Sequence, residues 1–394
     1  MGNTTVILGI ARTPLGGFLG ELSSLTAPQL GAAAIKAAVE RSSLGGAPVD
    51  EVIFGCVLPA GLGQAPARQA ALGAGLGIGT PSTTINKMCG SGMAAVMLAH
   101  DGLTARPGSV MVAGGMESMS NAPYLLPKAR AGLRLGHAVV LDHMFLDGLE
   151  DAYDKGRLMG TFAEDAAETY QFTRGQQDAY ALASLTRALA AATAGDFDGE
   201  IAPVEIDAKG GPRRITADEQ PAKAKPDKIP TLKPAFRADG TVTAANSSSI
   251  SDGAAALVLT TEQHAARLGV TPRARILATS RFAHEPAKFT SAPVEAIRRV
   301  LAAAGWQRDD VDLFEINEAF AVVPMIAMRE LDLPHGKVNV NGGACALGHP
   351  IGASGARIIV TLLAALERRK LKRGVAAICI GGGEATAVAV ELLT

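Results

Sequence analysis

The chain repeats itself. Near its start, a helical stretch from Leu30 to Glu40, with Ile35 and Val39 on one face, leads into Val49-Asp50-Glu51-Val52-Ile53-Phe54-Gly55. Near its end, Ala296 to Ala304, with Ile297 and Leu301 on one face, leads into Val311-Asp312-Leu313-Phe314-Glu315-Ile316-Asn317. The pairs Ile35/Ile297 and Val49/Val311 are both 262 positions apart (297 − 35 and 311 − 49). Cys89-Gly90-Ser91-Gly92 then opens a helix in the first half, and Gly352-Ala353-Ser354-Gly355 opens one in the second, an offset of 263. Each helix feeds a buried strand ending in glycines, Val110 to Gly115 and Ala377 to Gly382. Short apolar runs alternating with helical segments read as parallel-sheet units. Two such halves, stacked, predict a layered α/β body with a pseudo-twofold axis.

Length and composition agree with that reading. A chain of 394 residues exceeds the size at which one core stops growing, and 48% hydrophobic residues with 45 glycines suit tight α/β packing. From about Ser120 to Asn246 the apolar periodicity breaks and prolines and charges gather, with Ala163 to Thr193 reading as two amphipathic helices. The expected organisation is an N-terminal half over 1–120, completed by about 247–272, an inserted domain over 121–246 and a C-terminal half over 273–394. Inserted loops laid over one face are a usual place for substrate contacts.

Charge and cysteine usage exclude several classes. Net charge is −1, and the one basic run, Arg368 to Arg373, follows an apolar helix and reads as a solvated helix end, so no nucleic-acid partner is expected. No apolar run is long enough to span a membrane, and the N-terminus lacks the profile of a signal peptide. The four cysteines, at 56, 89, 345 and 379, make no C-x-x-C pair, so neither a disulfide framework nor a metal site is expected. A reducing, cytoplasmic compartment fits best.

Four islands are dense in glycine and reactive groups. Cys89 sits on a glycine-flanked turn where helix N–H groups would lower its pKa, so it reads as a reactive thiol or, equally, as a small packed hydrophobe. His349, held between Gly348 and Pro350 in Asn339 to Gly355, suits a base or a hydrogen-bond donor. Cys379 precedes Gly381-Gly382-Gly383, whose backbone N–H groups could bind an oxyanion; a packed core cysteine is the alternative. Asn317, ending a strand, could orient a water or cap the following helix. All four fall at the strand edge where open α/β sheets bind ligands.

These residues resemble a known family. Asn86-Lys87-Met88-Cys89-Gly90-Ser91-Gly92-Met93 looks like the nucleophile motif of the thiolases. Asn317-Glu318-Ala319-Phe320, Gly348-His349-Pro350, Cys379-Ile380-Gly381-Gly382-Gly383 and Gly114 to Ser120 are similar to the family's other motifs, in order, over essentially the whole chain. The resemblance implies the thiolase fold, duplicated α-β-α-β-α halves with an inserted loop domain for coenzyme A. It is greatest to the biosynthetic acetyl-CoA acetyltransferases. The implied reaction is a ping-pong Claisen condensation of two acetyl-CoA to acetoacetyl-CoA plus CoA. In it Cys89 carries the acetyl group, His349 deprotonates Cys89, and Cys379 removes the α-proton of the second acetyl-CoA. One oxyanion hole would use His349 with a water on Asn317, the other the N–H groups of Cys89 and Gly381. Coenzyme A contacts carry over to Leu149, Met159, Phe236 and Ser248, with Ala319 and Phe320 near the pantetheine. No tightly bound cofactor is implied. A homotetramer or homodimer and a place in fatty acid metabolism are family expectations.

Two positions depart from the family pattern. Leu158 stands before Met159-Gly160 where many members carry histidine, which would dry or widen the acyl pocket. Glu384 follows the glycines where relatives have an uncharged residue, and would raise the Cys379 pKa if it pointed inward. Rival readings are a broader 3-ketoacyl-CoA thiolase, a decarboxylating ketoacyl synthase, which would need a second histidine, and a non-catalytic acyl-CoA or lipid-binding relative.

Overall fold

The structure, a computed structural model, describes residues 4–208 and 210–393. Among the described residues nine strands form the main path of the body, β1 (Thr5–Arg12), β2 (Glu51–Gly55), β3 (Ser82–Ile85), β4 (Met111–Ser118), β5 (Ser251–Thr261), β6 (Ala274–Ala283), β7 (Leu313–Ile316), β8 (Arg373–Ile380) and β9 (Glu384–Leu392), and a tenth, Gly16–Gly17, pairs with β5. They run in the order β7-β8-β9-β6-β1-β5-β4-β2-β3. The first half supplies β1-β5-β4-β2-β3 and the second β6-β9-β8-β7, and among the described residues the two sets of strands pair at Val6/Arg275 and Ile7/Ala274.

The duplication is visible in the pairing. β2 lies parallel to β4 as β7 lies parallel to β8, in matching register: Ile53 faces Ala113, and Glu315 faces Ala376. The sheets are mixed rather than all parallel, because β5 and β9 run antiparallel to their neighbours. β9 returns directly from β8 through Gly381-Gly382-Gly383, a hairpin too short for a parallel crossover. In the second half the counterpart of β3 shrinks to one bridge, Phe314 to Val338. The Asn339 side chain continues it, accepting from the Ile316 N–H and donating to the Ile316 carbonyl, both at 2.8 Å.

Helices α1 (Ala27–Glu40) and α2 (Pro66–Gly73) cover the outer face of the first sheet, and Leu30, Ala34, Ile35 and Ala38 pack there with Val52, Phe54 and Val112. Between the sheets lie α3 (Ser91–Ala105) and a second central helix, Ile351–Arg369. That central helix is buried from Ile351 to Leu366, so it is apolar on nearly every side, as a helix between two sheets must be. The repeat-related glycines Gly92 and Gly355 lie where these helices cross. A Cβ on Gly92 would stand 2.7 Å from the Ala356 nitrogen, and one on Gly355 2.4 Å from the Met93 nitrogen. Ala292–Ala304 and Val322–Leu331 close the outer face of the second sheet.

Among the described residues, the stretch between β4 and β5 supplies no strand to the main sheet. It contains helices Met159–Thr169 and Arg174–Ala194, the latter opened by a Thr173/Gln176 capping box, and the hairpin Val204–Ala208/Gly211–Ile215. Buried charge ties it to the body: Arg12 of β1 meets Glu200 at 2.5 Å and Asp218 at 2.7 Å. A second tie is Glu318, just beyond β7, which accepts from the hydroxyls of Tyr180 (2.9 Å) and Ser184 (2.7 Å).

Candidate active site

β3 ends at Ile85 and the chain makes a tight elbow before α3. Met88 has φ +47, a left-handed conformation uncommon for a residue with a long side chain. The elbow is locked from both sides. Asn86 Oδ1 accepts from the Met88 N–H at 2.9 Å, while the Ser91 hydroxyl accepts from the Lys87 N–H at 2.8 Å and donates to the Met88 carbonyl at 2.7 Å. Gly90 lets it press on the second half, since a Cβ there would stand 2.4 Å from the Ile380 side chain.

Cys89 is thereby aimed at the strand end that carries Cys379. Its thiol does not have the lowered pKa expected from a helix N-terminus. Burial pushes it up to about 11, only partly offset by the N–H groups of Gly381 and of Cys89 itself, with the charge of Glu117 acting in the same direction as burial. The helix begins at Ser91, beyond the cysteine, so desolvation outweighs its donors. Cys379, 1% exposed at the end of β8, is also raised by burial, and next by proximity to Cys89.

His349 precedes the central helix Ile351–Arg369, on a loop that Gly348 turns with φ +105. The ring is buried, and desolvation followed by the charge of Arg357 lowers its pKa to about 3, so it is neutral at rest. Its Nδ1 lies 2.5 Å from the Ser354 oxygen, and that hydroxyl donates to the Pro350 carbonyl at 2.9 Å. A hydroxyl has one proton, so Ser354 accepts from Nδ1–H and Nε2 is left unprotonated. Nε2 faces Asn317 Nδ2 at 3.4 Å. Asn317 caps no helix, because the next one starts at Val322. Its buried Oδ1 has no protein donor among the described residues and is available to a water or a substrate group.

A cavity of ≈ 480 Å³ opens on these groups. Cys89, His349, Cys379 and Gly381 line it, as do Leu149, Met159, Phe236, Ser248, Ala319 and Phe320; Asn317 stands behind His349 rather than on the wall. Sequence reasoning did not single out Phe145, Ile250, Phe289 and Ile351, which complete an apolar wall. Phe289 comes from the short Pro286–Ser291 turn after β6, a segment with no motif to mark it. Leu158 also lines the cavity and adds to its apolar wall. Glu384 is not among the groups that raise Cys379; its carboxylate pairs with Lys87.

The arrangement holds two thiols, one neutral imidazole whose unprotonated Nε2 has only a long contact from the Asn317 amide, and converging N–H donors in a mostly apolar chamber. It can move an acyl group onto a sulfur, remove a nearby proton with a second sulfur and hold the oxygens that gain charge.

Comparison with known proteins gives the same picture. Family models described as "Thiolase, N-terminal domain" and "Thiolase, C-terminal domain" match residues 5–263 and 270–392. Acetyl-CoA acetyltransferase 2 of Arabidopsis thaliana is 52% identical over 391 residues, 98% of this chain and 96% of that one. Acetyl-CoA acetyltransferase of Pseudomonas aeruginosa is 49% identical over 385 residues, 97% of this chain and 98% of that one. The crystal structure of the acetyl-CoA acetyltransferase of Bacillus anthracis superposes with a TM-score of 0.96 at 41% identity, covering 100% of this chain and 99% of that one.

Proposed function

The chain belongs to the thiolase family, and on that premise we propose that it is an acetyl-CoA C-acetyltransferase, joining two acetyl-CoA reversibly into acetoacetyl-CoA and CoA. The observation that carries the reading is the convergence of Cys89, His349, Cys379 and Gly381 on one cavity, with Asn317 at 3.4 Å from His349.

Each step then has a group to perform it. His349 Nε2 takes the Cys89 proton as sulfur attacks the acetyl carbonyl. With both groups neutral at rest in a dry site, proton transfer accompanies attack instead of preceding it. The Cys89 and Gly381 N–H groups receive the oxyanion. CoA departs, taking a proton from Cys379 and leaving that sulfur as a thiolate. The thiolate removes an α-proton from the second acetyl-CoA. The enolate oxygen is held by protonated His349 and a water on Asn317. The carbanion attacks the thioester at Cys89, and the proton on His349 returns to the released sulfur.

Leu149, Met159, Phe236, Ser248, Ala319 and Phe320 surround the pantetheine arm in this reading. Lys223, Lys225 and Lys228 ring a neighbouring cavity of ≈ 330 Å³ that shares Ala244 and Ser249 with the first, which suits the phosphate-bearing end of coenzyme A. CoA thioesters are substrates, and no resident cofactor enters any step. The domain reading is 1–120 with 247–272, 121–246 and 273–394. The exposed apolar residues Tyr124, Leu126, Leu133, Leu135, Val139 and Val140 support assembly into a homodimer or homotetramer. A cytoplasmic place in fatty acid metabolism completes the reading; among the described residues no helix is long and apolar enough to cross a membrane.

The apolar wall with Leu158 favours one second reading, a 3-ketoacyl-CoA thiolase of wider chain length. Intact-protein mass spectrometry with acetyl-, propionyl- and longer acyl-CoAs tests both. One acetyl group on the wild-type protein supports the first. Faster thiolysis of long ketoacyl-CoA than of acetoacetyl-CoA turns to the second, and no acyl adduct from any donor overturns both.

A further inference from the structure

The Gly381-Gly382-Gly383 turn presents one of the two N–H donors aimed at Cys89; the pairing of Ile380 with Glu384 closes it, but its middle residue packs against nothing. Gly382 and Gly383 have φ +94 and +85; Gly382 has no neighbour within 4 Å of where a Cβ would stand, whereas a Cβ on Gly383 would stand 2.5 Å from the His284 carbonyl oxygen. On one side the turn is tied by the His284 N–H, which donates to the Gly383 carbonyl at 2.9 Å. On the other, Glu384 follows it directly and pairs with Lys87, two residues before Cys89. The Lys87 N–H is itself fixed by the Ser91 hydroxyl at 2.8 Å, so the cation stands on the locked nucleophile elbow. The pair therefore crosses the seam between the two halves and joins the segments carrying the two donors.

We propose that Lys87 and Glu384 are positioning residues, an ionic latch that holds the Gly381 N–H in register with Cys89 during acyl transfer. The proposal rests on the acyl-transfer reading above and deepens it. Neither side chain touches the reacting atoms. The two side chains are 28% and 36% exposed, so the latch is open to solvent and screened by salt. A partly exposed ion pair contributes about 0.2–1 kcal/mol, so its loss should slow the step by roughly 1.5- to 5-fold.

The test is the rate of Cys89 acetylation by acetyl-CoA, read by rapid quench and intact mass. It compares wild type, Lys87→Met, Glu384→Gln and the double variant at low and high potassium chloride. Absence of acetylation in wild type would reject the acyl-transfer reading itself. Given acetylation, each single variant should be about 1.5- to 5-fold slower at saturating acetyl-CoA, with half-saturation unchanged. The double variant should be no slower than the slower single one, and high salt should slow wild type toward the variants. Losses that multiply in the double variant, or single variants as fast as wild type, would overturn the latch. Equal melting temperatures across the set exclude a folding defect as the cause.

Discussion

His349 Nδ1 and the Ser354 hydroxyl oxygen lie 2.5 Å apart, one helical turn from each other across the start of the central helix. Because Ser354 gives its single proton to Pro350, the pair fixes which ring nitrogen carries hydrogen, and so which one can act as base.

Ser354→Ala should release that constraint without emptying the site of any reacting atom. The hydrogen bond is buried, so losing it costs about 1–3 kcal/mol, or roughly 5- to 160-fold in rate. The loss should fall on kcat for both directions of the reaction while half-saturation by acetyl-CoA stays near wild type. Ser354→Thr, which keeps the hydroxyl, should recover part of it. Equal rates for Ser354→Ala and wild type would remove the serine from the mechanism.

The two cysteines separate by half-reaction. Cys89→Ala should take up no acetyl group from acetyl-CoA. Cys379→Ala should still be acetylated, since Cys89, His349 and both N–H donors remain, but more slowly, because departing CoA loses the proton that Cys379 supplies, and it should form no acetoacetyl-CoA. It should also fail to exchange the methyl protons of acetyl-CoA with deuterated water. Normal condensation by the Cys379→Ala enzyme would show that the base lies elsewhere.

How much of this was legible without coordinates differs by level. The repeat predicted the halves because Ile35/Ile297 and Val49/Val311 keep a constant offset, and the structure pairs the same strands in matching register. The central antiparallel strands β5 and β9 were not legible, since strand direction depends on the connection rather than on local pattern. At the site, residues with special chemistry and glycine neighbours announced themselves. Phe289 and Ile250 did not, because an apolar side chain in a short segment carries the same signal whether it lines a cavity or fills a core. The Cys89 pKa was misjudged for a related reason. Motif spacing showed the helix donors, but the depth of burial that opposes them is a property of the assembled halves.

Gly92 and Gly355 are the clearest meeting of repeat and packing. At either position alanine would improve helix propensity by up to about 1 kcal/mol. The added methyl, however, would meet backbone at 2.7 Å or 2.4 Å, where nothing flexible can give way. Overpacking of this kind costs about 1–3 kcal/mol or more, so sterics should win. Gly355→Ala should therefore be destabilised in urea, and the double variant with Gly92→Ala more so. A stabilised Gly355→Ala protein would mean that the helices can part without cost.

Burial of neutral His349 should also be felt in stability. The ring titrates at about 3 in the folded chain against an ordinary 6.5. Between those values the unfolded chain binds a proton that the folded chain refuses, so stability conferred above pH 6.5 is lost as pH falls, by about 1.4 kcal/mol per unit. A His349→Gln variant has no such group. Urea unfolding of both proteins from pH 7 down to pH 4.5 should therefore show wild type losing ground to the variant below pH 6.5, at about that slope. Buried Glu117 and Glu315, raised to about 7 and about 8, act in the opposite sense in both proteins, since the folded chain keeps their protons as pH rises. They cancel in the difference between wild type and variant, which isolates the histidine. Parallel curves over that range would mean that His349 takes up a proton in the folded protein. Below pH 6.5 the base would then begin the reaction charged, and attack by Cys89 would have to wait for its deprotonation.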